Sequence, residues 1–177
     1  MNYLGGRGYS GFVTERADLI DRIRAAWAAS MPAMDTAPID VWGRLNRTSA
    51  LATAQIERLL ADSGVSRSEF DVLCVLARMD RPLRASEVTA ETMLSGAATT
   101  KLTTRLESVG LLRRERSDRD GRAVQLSLTD AGRAVVEREM PRALAHDERL
   151  LDGFSESERA ELADLLARLL ANAQREI

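Results

Sequence analysis

Apolar residues recur along this chain at helical spacing, and near the middle a short stretch switches to the alternation of a strand. Leu19, Ile20, Ile23 and Trp27 form one stripe, which predicts a helix capped by Thr14 and running to about Ser30, with Pro32 ending it. A linker follows to Pro38. From about Ile39 to Ser63 the residues Trp42, Leu45, Ser49, Ala52, Ile56 and Leu59 fall at alternating steps of three and four, and Gly64 is placed to stop that helix. Such a narrow seam suits a helix packed lengthwise on another.

Ser66 and Glu69 form a capping box ahead of a nearly continuous apolar run, Phe70 to Met79, which marks a mostly buried helix broken by Asp80-Arg81-Pro82. A short helix from about Ala85 to Thr92, a turn, and a helix from about Ser95 to Val109 follow, with Gly110 as the stop. In the last of these Ala98, Leu102, Leu106 and Val109 share one face, leaving Ala97, Thr100, Lys101 and Thr104 on the other. The pair reads as a helix-turn-helix. Leu111–Arg116 and Ala123–Leu128 read as two strands joined by a turn at Asp118–Gly121, with Val124, Leu126 and Leu128 alternating.

From Thr129 a long helix runs towards Leu151, with a bend expected near Pro141. A second capping box, Ser155 to Glu158, opens a last helix carrying Leu162, Leu165, Leu166, Leu169 and Leu170. A leucine stripe this wide on a terminal helix needs a partner surface. The fold expected is mainly α with a small β-wing: a winged helix-turn-helix with N- and C-terminal dimerisation helices. Its parts are an extension with one helix (1–38), a dimerisation helix (39–65), the winged helix-turn-helix (66–128) and C-terminal dimerisation helices (129–177).

A net charge of -2 excludes a basic tail that coats nucleic acid without selectivity, yet the charge is unevenly spread. From Ser95 to Arg122 seven cations (Lys101, Arg105, Arg113, Arg114, Arg116, Arg119, Arg122) face four anions, Glu107, Glu115, Asp118 and Asp120. Between Asp152 and Asp164 five acids face Arg159 alone. A helix that enters the major groove must expose small or hydrogen-bonding side chains, as Gly96, Ala97, Thr99, Thr100, Lys101 and Thr104 do. Ser95 and the helix-start amides can take a phosphate, and Arg105 can reach the backbone or a guanine edge. At the wing tip Arg122 can enter the minor groove, held by Asp120 two residues earlier, with Arg119 adding a contact.

One Cys and one His leave no disulfide framework within the chain and no zinc cage of nitrogen and sulfur ligands. Cys74 reads as a small core residue, and His146 with Asp147 and Glu148 as a solvated helix face. With no nucleophile beside a base and no glycine-rich phosphate loop, no enzyme and no cofactor are expected. No apolar run approaches the ~20 residues of a membrane span, and MNYLGGRGYSGF lacks the order of a signal peptide, so no membrane partner and a cytoplasmic location are expected.

Leu94-Ser95-Gly96, Thr99, Arg105-Leu106-Glu107, Gly110-Leu111-Leu112, Asp120-x-Arg122 and Leu128-Thr129-Asp130-Ala131-Gly132-Arg133 together resemble the MarR family of bacterial transcription factors, from about Ile39 to Ala173. The resemblance implies a homodimer that binds a pseudo-palindrome in double-stranded DNA with both recognition helices and both wings, commonly as a ligand-released repressor. The extra N-terminal helix is similar to that of a urate-responsive branch, whose Trp, Asp and Arg positions match Trp27, Asp71 and Arg114. That trio offers an indole for stacking, a guanidinium for an anion and a carboxylate for N–H groups, which suits a small anionic or aromatic effector. Two other readings stay open. Trp27 can instead staple the first helix while Asp71 and Arg114 form a buried salt bridge, leaving a DNA binder without a ligand. A winged helix can also serve as a protein-interaction module.

Overall fold

The computed structural model of the chain describes residues 17–92, 94–116 and 124–175. It divides into two compact units, Met1–Leu51 and Ala52–Ile177, which are described in turn.

In the first unit helix α1 spans Leu19–Ser30, and α2, which spans Ala37–Leu60, begins there. The expected cap Thr14 lies outside the described residues, and the helix begins at Leu19, the first residue of the apolar stripe. Asp18 is the cap, because its extended backbone lets its carboxylate accept from the amides of Ile20 and Asp21 at 2.7 and 3.0 Å while Asp21 accepts from the Asp18 amide at 2.9 Å. Of the expected stripe only Ile20 is buried. It packs on Gly43 of α2, where an added Cβ would stand 3.1 Å from Ile20 side-chain atoms. Arg44 donates to Asp18, Asp21 and Asp40, and Asp40 also pairs with Arg24. These bonds raise the Arg44 guanidinium above its ordinary value. Those from Arg24 and Arg44 hold Asp40 below the carboxylate range. Exposed pairs of this kind add little stability singly. Their network joins α1 and its cap to the first turns of α2.

The second unit begins within α2, whose buried residues are Ile56 and Leu60. Of the narrow seam expected from Trp42 to Leu59 only Ile56 is buried within the chain, and Trp42 is 51% exposed. A 3-10 turn, Ala61–Ser63, leads to Gly64 in the left-handed conformation (φ 67). Helix α3, Arg67–Met79, starts at the expected box, with the Ser66 amide 2.8 Å from Glu69 Oε2 and the Glu69 amide 3.3 Å from Ser66 Oγ. It ends at Asp80, also left-handed. Phe70, Val72, Leu73, Val75 and Leu76 of α3 are buried.

Around α3 stand β1 (Leu83–Arg84), α4 (Ala85–Thr92), α5 (Gly96–Ser108), β2 (Leu112–Arg116), β3 (Val124–Leu128) and α6 (Asp130–Leu150). The antiparallel sheet has the order β1-β3-β2, with Leu83 opposite Leu126 and Leu112 opposite Leu128. The core joins Leu60, Leu73, Leu83, Leu106, Leu112 and Leu126, all at most 2% exposed. β1 went unseen in the sequence because two residues carry no periodicity. Val124, expected to alternate into the core, is exposed at the outer end of the sheet.

The Thr129–Gly132 turn locks the sheet to α6. Thr129 caps α6 by accepting from the Gly132 amide, and its hydroxyl donates to the Gly110 carbonyl at 2.7 Å. Gly132 lies so close to the Leu111 carbonyl that a Cβ would stand 2.0 Å from its oxygen. Pro141 is accommodated within α6, which stays one helix. His146 corrects the expectation of a solvated face: it is buried, with Nε2 2.7 Å from Gln55 Oε1 and Nδ1 3.3 Å from Asp147. Glu139 is likewise buried, bonded to Ser63, Arg138 and Arg142. Burial alone would raise its carboxyl, but these partners outweigh that and leave it below the usual range.

Helix α7, Glu156–Arg175, opens at the Ser155–Glu158 box and buries none of its residues. No helix among the described residues is long and apolar enough to cross a membrane.

Candidate nucleic-acid interface

Helix α5 is built to show one face and hide the other. Ser95 caps it, its hydroxyl accepting from the Ala98 amide at 3.2 Å, and Gly110, with φ 74, lets the chain leave it towards β2. Ser95, Gly96, Ala97, Thr100, Lys101, Thr104 and Arg105 are exposed.

Thr99 departs from the expectation of an exposed side chain. It is fully buried, its hydroxyl donating to the Ser95 carbonyl at 3.1 Å and lying 2.9 Å from the Thr89 hydroxyl of α4. The inward stripe is thus Thr99, Thr103 and Leu106, whereas Val109, assigned inward from the sequence, is 45% exposed. A threonine hydroxyl can bond the carbonyl one turn back, so a helix can bury Thr with its polar group satisfied. Thr99 links the two helices of the motif, with its side chain turned away from the exposed face of α5.

Among the described residues the wing contributes β2 and β3. Arg119, Asp120 and Arg122 lie outside them. Arg113 and Arg114, on successive positions of β2, do different things. The Arg113 Nε donates to Ser127 at 2.9 Å. Arg114 turns to α5, its Nη2 donating to Thr103 Oγ1 at 2.8 Å and to Thr104 Oγ1 at 2.9 Å. Its Nε stands 3.1 Å from Glu107 Oε2 at an angle too oblique for a hydrogen bond.

The chain is 32% identical over 145 residues to the HTH-type transcriptional regulator PecS of Dickeya dadantii, spanning 81% of this chain and 87% of that protein. Residues 63–123 match the MarR family model. The chain belongs to the MarR family. Among solved structures it is similar to BpsR of Bordetella bronchiseptica, a protein whose DNA binding is regulated by 6-hydroxynicotinic acid (28% identity, TM-score 0.66, 73% of this chain and 91% of that one). It is also similar to AbsC, a MarR family regulator of Streptomyces coelicolor (25% identity, TM-score 0.72, 81% and 97%). As a MarR-family winged-helix protein this chain is a DNA-binding transcriptional regulator, and the relatives it matches are regulators rather than enzymes.

The three residues matched to an effector site sit in different settings. Trp27 belongs to the first unit and is 41% exposed. Asp71, in the second, pairs with Arg67 at 2.9 Å and lines a cavity of about 180 Å³ with Cys74, Arg78 and Glu91. Arg114 pairs with Glu107, so the alternative of a buried Asp71–Arg114 salt bridge does not hold. Burial and the Asp71 charge push the Cys74 thiol up to about 11, despite Arg67 and Arg78 nearby, which keeps it protonated at neutral pH. Sequence reasoning missed the Thr89–Thr99 link and the Arg114 clamp. The Thr99-x-x-x-Thr103-x-x-Leu106 spacing, helical and continuous with an apolar residue, is the signal that could have found the inward face.

Proposed function

We propose that this MarR-family chain acts in the cytoplasm as a homodimeric repressor, occupying a pseudo-palindromic operator and released from it by a small anionic or aromatic molecule. The observation that carries the DNA part is the exposed face of α5: small and hydroxylated, with Lys101 and Arg105 as its cations, above a fully bonded inner face. Two such helices about 34 Å apart would enter successive major grooves. Ser95, Gly96, Ala97, Thr100, Lys101, Thr104 and Arg105 are the proposed contacts on the helix, with Arg119, Asp120 and Arg122 on the wing. The exposed Leu165, Leu166 and Leu170 of α7 support a second copy as partner, because a stripe of this width is otherwise left in water.

For release, the family resemblance supplies Trp27, in the first unit, and Asp71 and Arg114, in the second, as candidate effector residues taken each by itself, with a small anionic or aromatic molecule as the type of ligand. Arg114 supports this, since it already holds two hydroxyls of α5, and an anion that took its guanidinium would disturb that helix. The effector need favour the released form by only about 1–3 kcal/mol. The test is a titration of the protein on a fluorescent fragment of its own upstream region, followed by urate or 6-hydroxynicotinate. Binding of two chains per fragment, release by one of the compounds, and loss of release in a folded Trp27→Ala variant are expected. Binding of one chain, or release unaffected by Trp27→Ala, contradicts the corresponding part.

A further inference from the structure

Helix α5 carries four threonines, and they spend their hydroxyl protons differently. Thr99 donates to the Ser95 carbonyl at 3.1 Å, Thr100 to the Gly96 carbonyl at 2.9 Å, and Thr103 to the Thr99 carbonyl at 2.8 Å. Thr104 has no such bond; its oxygen accepts from Arg114 Nη2 at 2.9 Å. Thr100 and Thr104 are exposed one helical turn apart on the face proposed for DNA. A hydroxyl has one proton and two lone pairs. A Thr100 that has given its proton to Gly96 presents only lone pairs outward. A Thr104 that has accepted from a guanidinium keeps its proton for an outside acceptor.

We infer that the two exposed threonines are poised with opposite polarity, Thr100 as an acceptor and Thr104 as a donor, and that Arg114 is the positioning residue that makes Thr104 a donor. In the major groove Thr100 would then favour a base offering an amino group, N4 of cytosine or N6 of adenine. Thr104 would favour one offering N7 or O6 of a purine or O4 of thymine. Arg114 reads no base itself. It would set specificity from behind the helix, through a hydroxyl it orients, with Glu107 holding its other edge. The inference rests on α5 entering the major groove, as proposed above.

The experiment is enrichment of bound sequences from a randomised DNA duplex pool by the full-length wild type, Thr100→Val, Thr104→Val, Arg114→Met and the double variant Thr104→Val/Arg114→Met, with thermal melts to establish folding. Thr104→Val and Arg114→Met are expected to weaken discrimination at the same base pair by about three- to tenfold, with the double variant losing no more. Thr100→Val should weaken it at a different pair. An Arg114→Met that folds and keeps the preference which Thr104→Val loses overturns the inference, as does a Thr104→Val that shifts no position. Base analogues tested on the wild type keep the inference falsifiable if Arg114→Met does not fold. At Thr104's pair, analogues lacking the purine N7 or O6 acceptor should lower affinity by a similar factor, and no effect from any of them contradicts the donor assignment. A wild type that enriches no sequence at all overturns the groove-binding reading, and this inference with it.

Discussion

Helices α3 and α7 carry comparable amounts of apolar side chain and meet opposite fates. α3 buries Phe70, Val72, Leu73, Val75 and Leu76, while α7 buries nothing, with Leu165, Leu166 and Leu170 left exposed. The difference lies in what surrounds them. α3 is enclosed by the sheet, α4, α5 and α6, so each methylene removed from water has a neighbour inside the chain. α7 has a helical stripe and no such enclosure. Apolar periodicity therefore reports that a face must be covered, and only the packing around it shows whether the cover comes from the same chain.

Substitutions sharpen this contrast. Leu73→Ala, in the middle of the α3 face, should cost about 2–5 kcal/mol, read as a lower denaturant midpoint at unchanged slope. Loss of less than 1 kcal/mol would mean that α3 is not the centre of the core. Glu139→Gln removes the buried charge that ties α6 to Ser63 and should cost about 1.5–3 kcal/mol at neutral pH. Because the folded carboxyl lies below its unfolded value, that contribution is complete above the ordinary carboxylate pKa of about 4.3 and is lost as pH falls through the lowered folded value. Stability curves of wild type and Glu139→Gln against pH should converge on acidification; parallel curves would contradict the assignment.

Gly132→Ala drives a methyl group against the Leu111 carbonyl and should cost about 1–3 kcal/mol. A neutral result in thermal melts would show that the sheet and α6 are not locked there. The smallest effect on the folded chain belongs to α7. Leu165→Ser with Leu170→Ser should leave the stability of an isolated chain within about 0.5 kcal/mol. The same pair should halve the mass in sedimentation and abolish any rise of the unfolding midpoint with protein concentration. Unchanged mass would remove α7 from the proposed dimer interface.

The elements of the winged helix were legible wherever local signals agreed. Ser66–Glu69, Ser95, Gly110 and Ser155–Glu158 mark helix ends where the structure has them, since caps are local chemistry. What failed was the direction of side chains whose role depends on distant partners. The polarity of Thr99 suggests an outward side chain, but the Thr89 hydroxyl and the Ser95 carbonyl one turn back satisfy it inside. Asp147 and Glu148 after His146 suggest a solvated face, but Gln55, far away in sequence, bonds it in a buried position. β1 is too short for any pattern, and its place is set by β3. The candidate DNA face of α5 was legible in outline; the proton directions on that face, which depend on Arg114, were not.

The central claim, that the outer face of α5 holds DNA, is tested most directly by a salt series of binding to the upstream fragment with wild type, Lys101→Ala and Thr99→Val. The claim predicts steep salt dependence, with the slope of log K against log salt lowered by about 1 for each phosphate contact that Lys101→Ala removes, at unchanged melting temperature. Thr99→Val should do the reverse, lowering the melting temperature while leaving the slope alone. Equal slopes for wild type and Lys101→Ala, with no preference over unrelated DNA, would contradict it.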